Sequence, residues 1–157
     1  MNKLLKILID NHQFDPSQIK TDAESLEHWG KDWTKHFTPN AAAIVFPKTT
    51  EQVQTIVLLA NEHNVVLTPS GGRTGLSAGA VAANGEIVVS MDKMNQIGTF
   101  FPADRIVEIE AGVITEQLQQ FSETKDLYYP VDFASAGSSQ MGGNIGTNAG
   151  GIKVIRY

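Results

Sequence analysis

The groups best placed to do chemistry in this 157-residue chain are main-chain amides and hydroxyls, gathered in two glycine-rich stretches. The first reads Pro69-Ser70-Gly71-Gly72-Arg73-Thr74-Gly75-Leu76-Ser77 and directly follows an apolar run. Where no Cβ blocks the approach, successive N–H groups can converge on an anion, and Ser70, Thr74 and Ser77 add hydroxyl donors. The physical reading is a cradle for a diphosphate. The second stretch is Gly137-Ser138-Ser139-Gln140-Met141-Gly142-Gly143-Asn144-Ile145-Gly146-Thr147-Asn148-Ala149-Gly150-Gly151. Gly142, Gly146 and Gly150 recur at helical spacing, so it reads as a short helix lying close to a flat ligand or another backbone. Asn144, Thr147 and Asn148 are its neutral hydrogen-bonding groups. Glycine brings no side chain to a core and loses much conformational entropy on folding. Two dense patches in an otherwise well-packed sequence therefore point to close backbone approach to something.

Familiar phosphate motifs are absent. There is no Gly-Lys-Ser/Thr tripeptide, as a P-loop requires, and neither patch has the glycine spacing of an NAD-type fingerprint. Gly79 leads into Ala82-Ala83-Asn84-Gly85 and not into a helix. A membrane-dimer seam is excluded in the second patch by its polar residues and its lack of apolar flanks. Cysteine is missing, which removes disulfides, thiolate metal sites, iron–sulfur clusters and a cysteine nucleophile. His12, His28, His36 and His63 share no spacing suited to a metal or a triad. Lys and Arg number 12 against 17 Asp and Glu, a net charge of −5 without a basic stripe, so the cationic footprint of a nucleic-acid binder is lacking. No segment approaches the ~18–20 apolar residues of a membrane span. Leu4, Leu5, Ile7, Leu8 and Ile9, broken by Lys6, read as a short amphipathic helix with Lys3 and Lys6 on its wet face. The expectation is a cytoplasmic protein, compatible with loose peripheral association at the inner membrane.

Hydrophobic residues make up 41% of the chain and charged residues 18%, enough for a packed domain around these stretches. Met1–Asn11 reads as a helix. Residues 24–37 read as irregular structure with a helical turn, in which Trp29 and Trp33 pack against a sheet. Ala42–Phe46 is a strand ended by Pro47. Thr49 caps a helix running to about His63, with Gln52 completing a capping box and Asn64 as a stop. Val65–Pro69 is a second strand, making a βαβ-like unit, and Ile87–Ser90 a third. Gln96–Phe101 and Ile106–Glu110 alternate as half-buried strands about a Pro102-Ala103-Asp104 turn, and Asp104, Arg105, Glu108 and Glu110 read as solvated strand-edge charges. Thr115 is placed to cap a helix that turns Leu118 and Phe121 inward, followed by extended Tyr128-Tyr129-Pro130. Ile152–Tyr157 reads as the opening of a strand, and hence as a chain cut short. The fold class is α+β.

Several of these segments together resemble a known family. Pro69-Ser70-Gly71-Gly72-Arg73-Thr74-Gly75-Leu76, Pro130-Val131-Asp132 and the run from Gly142 to Gly151 are similar to the two FAD-contacting signatures of the FAD-linked oxidases, the vanillyl-alcohol oxidase or PCMH-type family. Residues 43–52, AIVFPKTTEQ, resemble that family's entry into its FAD domain. Gly137-Ser138 before Met141-Gly142-Gly143-Asn144, with Arg156-Tyr157, is most similar to its D-2-hydroxyglutarate and D-lactate dehydrogenases. The resemblance covers roughly residues 25–157.

It implies a PCMH-type FAD-binding domain of mixed sheets with flanking helices. Residues 1–40 would be a lead-in, 41–157 the first part of that domain, and the substrate domain would lie downstream. Gly71 to Ser77 would hold the FAD pyrophosphate, Gly142 to Asn148 would line the cofactor's other flank, and Asp132 would lie near the flavin. Arg73 stands where some relatives carry a histidine bonded to the flavin 8α carbon and others an asparagine. The FAD is therefore expected to be non-covalent, with Arg73 either facing the phosphates or exposed to solvent. Phe133 replaces a proline found in some members, which bears on the local turn. The implied activity is oxidation of a D-2-hydroxy acid (2-hydroxyglutarate, lactate or glycolate type) to the 2-keto acid. Electrons would pass to a quinone, cytochrome or electron-transferring flavoprotein. No catalytic or metal-ligating residue falls within this stretch, so the segment by itself is expected to be silent. The residues alone leave open a non-enzymatic nucleotide- or partner-binding module, and a sugar- or cell-wall-precursor reductase on the same FAD fold.

Overall fold

A β-strand buried on both faces needs apolar side chains at successive positions, and Ala43-Ile44-Val45 and Ile87-Val88-Val89 meet that requirement. In the computed structural model, which describes residues 3–12 and 14–157 without the side chains of Asn11 and His12, both are central strands. Met1 and Asn2, read above as the start of the first helix, and the His12 imidazole lie outside the described residues. The chain divides into two compact units, Met1–Lys93 and Met94–Tyr157.

The first unit runs α1 (Lys3–His12), β1 (Ile19–Lys20), α2 (Ala23–Trp29), β2 (Ala43–Val45), α3 (Thr50–Glu62), β3 (Leu67–Ser70) and β4 (Ile87–Ser90). Its sheet has the order β1-β2-β4-β3. β2 and β3 both pair parallel with β4, while β1 pairs antiparallel with β2. The expected βαβ unit is present, but β4 lies between its two strands. Alternation divides the core in two. Ala43, Val45, Ile87 and Val89 join Leu4, Leu5 and Leu8 of α1 and Ile56 and Ala60 of α3. On the other face, Ile44 and Val88 meet Phe46, Ala82, Leu26 and Trp29. Lys3 and Lys6 face solvent, and each fully buried leucine of α1 contributes about 1.5–3 kcal/mol.

Three expectations are corrected here. The 24–37 stretch holds a regular helix, α2, because Asp22 accepts a hydrogen bond from the Ser25 N–H at 2.9 Å and caps it. Thr49 caps α3 as expected, accepting from Gln52 N at 3.2 Å. The box does not close, however: the Gln52 carbonyl Oε1 accepts from Lys48 N at 2.7 Å and from Gln18 Nε2 at 2.9 Å. Trp33 does not pack on the sheet and is 72% exposed, whereas Trp29 meets Phe46 edge-on at 5.1 Å.

The Asp22 cap carries a pH signature. The Ser25 hydrogen bonds hold its carboxyl below the usual aspartate value. A depressed folded value means that the cap stabilises above the unfolded pKa and is lost as pH falls through the folded one. Asp22→Ala is expected to lower the melting temperature by about 2–4 °C at neutral pH. In thermal melts of the two proteins, that difference closes once the pH falls below the ordinary carboxylate range.

The second unit holds the antiparallel pair β5 (Ile97–Phe101) and β6 (Ile106–Ile109), then α4 (Thr115–Glu123) and α5 (Met141–Gly146). Val113, Leu118 and Met141 form its core, with Ile97, Val107, Ile109, Phe121 and Tyr129 against them. Ile114, not Thr115, occupies the cap position of α4; Thr115 is the first helical residue and is fully buried. Residues 152–157 form turns and not a strand. Val154 N donates to Gly151 O, and Arg156 N and Tyr157 N to Lys153 O, at 3.0–3.2 Å. The alternating pattern there reads as β, but a strand needs a ladder partner, and among the described residues none pairs with it.

Candidate functional site

β3 and β4 run parallel in register, Ser70 opposite Ser90, so the segments that follow both strands leave the same edge of the sheet. In open parallel sheets that carboxyl edge is where ligands bind. The glycine loop 71–77 starts there, and so does the 3-10 turn Met91–Lys93. From Gly72 to Ser77 no main-chain N–H finds an acceptor among the described residues. The Ser70 hydroxyl at the loop's entrance has no partner either, although Ser70 is only 1% exposed. A buried hydroxyl without a partner costs about 1–3 kcal/mol. A row of open N–H donors beside an unsatisfied hydroxyl is the donor set of an anion site, and it fits a diphosphate.

Other parts of the first unit brace the loop. Trp33 N donates to Gly75 O at 3.0 Å. Next to it the Asp32 carboxylate is buried: Oδ1 accepts from Thr34 N at 2.8 Å, and Oδ2 has no partner. A Cβ at Gly75 would come within 3.6 Å of that Oδ2. Arg73 adopts a left-handed backbone, φ 58°, and its side chain turns inward. Its Nη1 donates to Gly71 O at 3.1 Å and lies 3.4 Å from Asp92 Oδ2. Trp29 Nε1 donates to the same Oδ2 at 2.7 Å, and the guanidinium carbon lies 5.9 Å from the Trp29 ring centre. The arginine is neither exposed nor free. Nothing in their sequence neighbourhood singles out Asp92 or Asp32. Asp92 gains its place only because β3 and β4 end side by side, a fact without a local sequence signal.

The second stretch lies in the second unit. Its short helix is present as α5, but most of its polar groups are engaged within the unit. Met141 N donates to Val113 O at 2.9 Å and Gly142 N to Ala111 O at 2.8 Å. Asn144 Nδ2 donates to Thr115 Oγ1 at 2.7 Å, and the Thr147 hydroxyl to Gly143 O at 2.8 Å. Ser138 donates weakly to Ser135 O at 3.4 Å. Gly142 packs on Ala111, whereas a Cβ at Gly143 or Gly146 would meet nothing within 4 Å. The open face of α5 is therefore that of Gly143 and Gly146, and exposed Asn148 follows it with φ 51°. The extended Pro130-Val131-Asp132 segment is anchored by Gln119 Nε2, which donates to Val131 O at 2.7 Å. Asp132 pairs with Lys153 at 3.0 Å, and Lys153 also donates to the Tyr128 hydroxyl. Those bonds, Tyr128 first, hold the Lys153 ammonium above the usual lysine value.

The class follows from comparison with known proteins. The chain matches a family model described as an FAD binding domain over residues 41–157, and it belongs to that family. D-2-hydroxyglutarate dehydrogenase of Stutzerimonas stutzeri (strain A1501) is 70% identical over 143 residues, which cover 91% of this chain and 31% of that protein. The mitochondrial D-2-hydroxyglutarate dehydrogenase of Danio rerio is 37% identical over 142 residues, 90% of this chain and 27% of that one. The chain thus spans about a third of the length of the curated relatives it matches. Among solved structures, an alkyldihydroxyacetonephosphate synthase shares the fold with a TM-score of 0.86 and 22% identity, covering 98% of this chain and 30% of that one. A p-cresol methylhydroxylase aligns with a TM-score of 0.64 and 23% identity over 78% of this chain and 25% of its own. The α+β, PCMH-type FAD-binding fold and the FAD cofactor read from sequence hold. Among the described residues no helix is long and apolar enough to cross a membrane.

Proposed function

We propose that residues 69–77 hold the diphosphate of a non-covalently bound FAD in a protein that oxidises a D-2-hydroxy acid to its 2-keto acid. The open N–H groups from Gly72 to Ser77, beside the buried and unsatisfied Ser70 hydroxyl, carry this reading. Pro69 and Leu76 frame the loop, and Arg73 takes part through its main-chain N–H. Thr74 and Ser77 add hydroxyls. In the second unit the reading assigns cofactor contacts to the open face at Gly143, Gly146 and Asn148. Pro130, Asp132, Gly137, Ser138, Met141, Gly142, Asn144 and Thr147 shape the segment that presents it. When bound, the flavin supplies the two-electron oxidation of the C2 alcohol. The relatives named D-2-hydroxyglutarate dehydrogenase favour 2-hydroxyglutarate over lactate or glycolate as substrate. A quinone, a cytochrome or an electron-transferring flavoprotein takes the electrons, in the cytoplasm or at the inner membrane's cytoplasmic face.

Titration with FAD, followed by flavin fluorescence and by thermal shift, tests the cradle. Ser70→Ala is expected to weaken FAD binding about tenfold, the worth of one hydrogen bond to a charged group. Without FAD it leaves the melting temperature unchanged or raises it, since it removes an unsatisfied buried hydroxyl. Equal FAD affinity in both proteins, or a loss of stability without FAD, sinks the assignment. Acid denaturation of the loaded protein should release all of its flavin.

A further inference from the structure

We propose that Arg73, Asp92 and Trp29 form a clamp that presets the shape of the glycine loop, and that Arg73 is a positioning residue instead of the cation that neutralises the bound diphosphate. The inference rests on the FAD reading above and goes beyond it. A guanidinium meant for a phosphate should point out of the loop. Here Nη1 turns back onto the loop's own Gly71 carbonyl and onto the Asp92 carboxylate, with only a fifth of the side chain exposed. Asp92 is itself held: Trp29 Nε1 donates to its Oδ2 at 2.7 Å, and the indole is fixed edge-on against Phe46 of the sheet core. The chain of contacts runs from the core through α2 to the turn after β4 and ends on the loop.

The backbone explains why a clamp is needed. Arg73 sits at φ 58°, a left-handed conformation that L residues adopt at a cost. Side-chain bonds to Gly71 and Asp92 hold it there, and with it the direction of the neighbouring N–H groups. Charge leads to the same conclusion. Arg73 and Asp92 cancel, and the charged side chain that a Cβ at Gly75 would meet is the Asp32 carboxylate. Neither of these groups adds net positive charge, so what the loop itself offers a diphosphate is oriented dipoles. Binding of that kind depends on the donors being preset, as a clamp would ensure.

The two roles for Arg73 predict opposite signs. If Arg73 faced the phosphates, Asp92→Asn would release it and tighten FAD binding. With a clamp, Asp92→Asn raises the FAD dissociation constant about tenfold, and the inhibition constant of inorganic pyrophosphate rises by the same factor. Arg73→Gln has a similar effect. The double variant then loses about tenfold and not the product of the two losses, because both substitutions break one unit. Trp29→Phe, which keeps a ring but removes the donor, shifts binding in the same direction by a smaller factor. In the FAD-free protein, amide hydrogen exchange of residues 71–77 speeds up in Asp92→Asn while the melting temperature stays within about 2 °C. Tighter FAD binding by Asp92→Asn, multiplicative losses, or a parallel drop in melting temperature would overturn the clamp, and so would unchanged loop exchange. Failure of the wild-type protein to bind FAD would overturn the FAD reading, and the exchange experiment would still decide whether the clamp exists.

Discussion

Gly142→Val is expected to destabilise the second unit by about 3 kcal/mol or more, because overpacking against parts that cannot yield sits at the top of its usual range. Even alanine at this position would place its Cβ 2.7 Å from the Ala111 Cβ and 3.1 Å from the Ala111 carbonyl oxygen. Neither atom is the end of a flexible side chain, so the helix itself would have to move. Moving it stretches the Gly142 N to Ala111 O bond of 2.8 Å and the Met141 N to Val113 O bond of 2.9 Å, which dock α5. It also lifts Met141, a buried member of the core with Val113 and Leu118. The neighbouring glycine responds in the opposite direction. With nothing within 4 Å of a Cβ at Gly143, Gly143→Ala is expected to stabilise by about 0.5–1 kcal/mol through helix propensity. Urea midpoints of the two variants distinguish packing from propensity. Ala111→Gly should recover a good part of the loss in Gly142→Ala, since it removes the closest clash. Wild-type stability in Gly142→Val would mean that α5 does not sit on Ala111.

A second large effect belongs to a buried hydroxyl. Thr115→Val keeps the shape of the side chain and is expected to cost about 2–3 kcal/mol, the penalty for leaving buried polar partners unsatisfied. Thr115 is fully buried and Ser139 is 2% exposed. The Thr115 oxygen lies 2.7 Å from Ser139 Oγ and 2.7 Å from Asn144 Nδ2, and its proton can go to Ser139 O at 3.2 Å. With Ser139 donating, every bond of that hydroxyl is made, and valine removes them all at once. The three residues tie the start of α4 to the segment before α5 and to α5 itself. Thr115→Ser, which keeps the hydroxyl and loses a methyl, should cost less than half as much. A Val variant as stable as the Ser variant in urea would show that the network contributes nothing.

Both cases show what the chain reveals locally and what it does not. The strand Ile87–Ser90, the hairpin about Pro102, the Thr49 cap and the short helix in the second glycine stretch are governed by neighbours a few residues away, and their patterns are visible in sequence. So is a glycine loop with open N–H groups after the third strand, because its residues lack the side chains and the ladder partner that would close them. The roles of individual glycines are not visible in this way. Gly142 and Gly143 are adjacent and chemically identical, yet only the first lies on Ala111. Thr115 reads in sequence as a helix cap, but Ile114 holds that position and Thr115 is drawn to Ser139, 24 residues on.

The same limit applies to the site. The chain by itself determined the family, the FAD cofactor and a glycine loop whose N–H groups stay open. Tertiary structure decided that β4 is inserted between β2 and β3. That insertion brings the turn after Ser90 beside the glycine loop and turns Arg73 inward onto Asp92 instead of out to ligand or solvent. The physical reason is one of range. Helix caps, strand alternation and glycine freedom are set by dihedral angles and near neighbours, whereas the partner of a charged side chain is set by which strands pair, and strand order leaves no local mark on the residues that later meet.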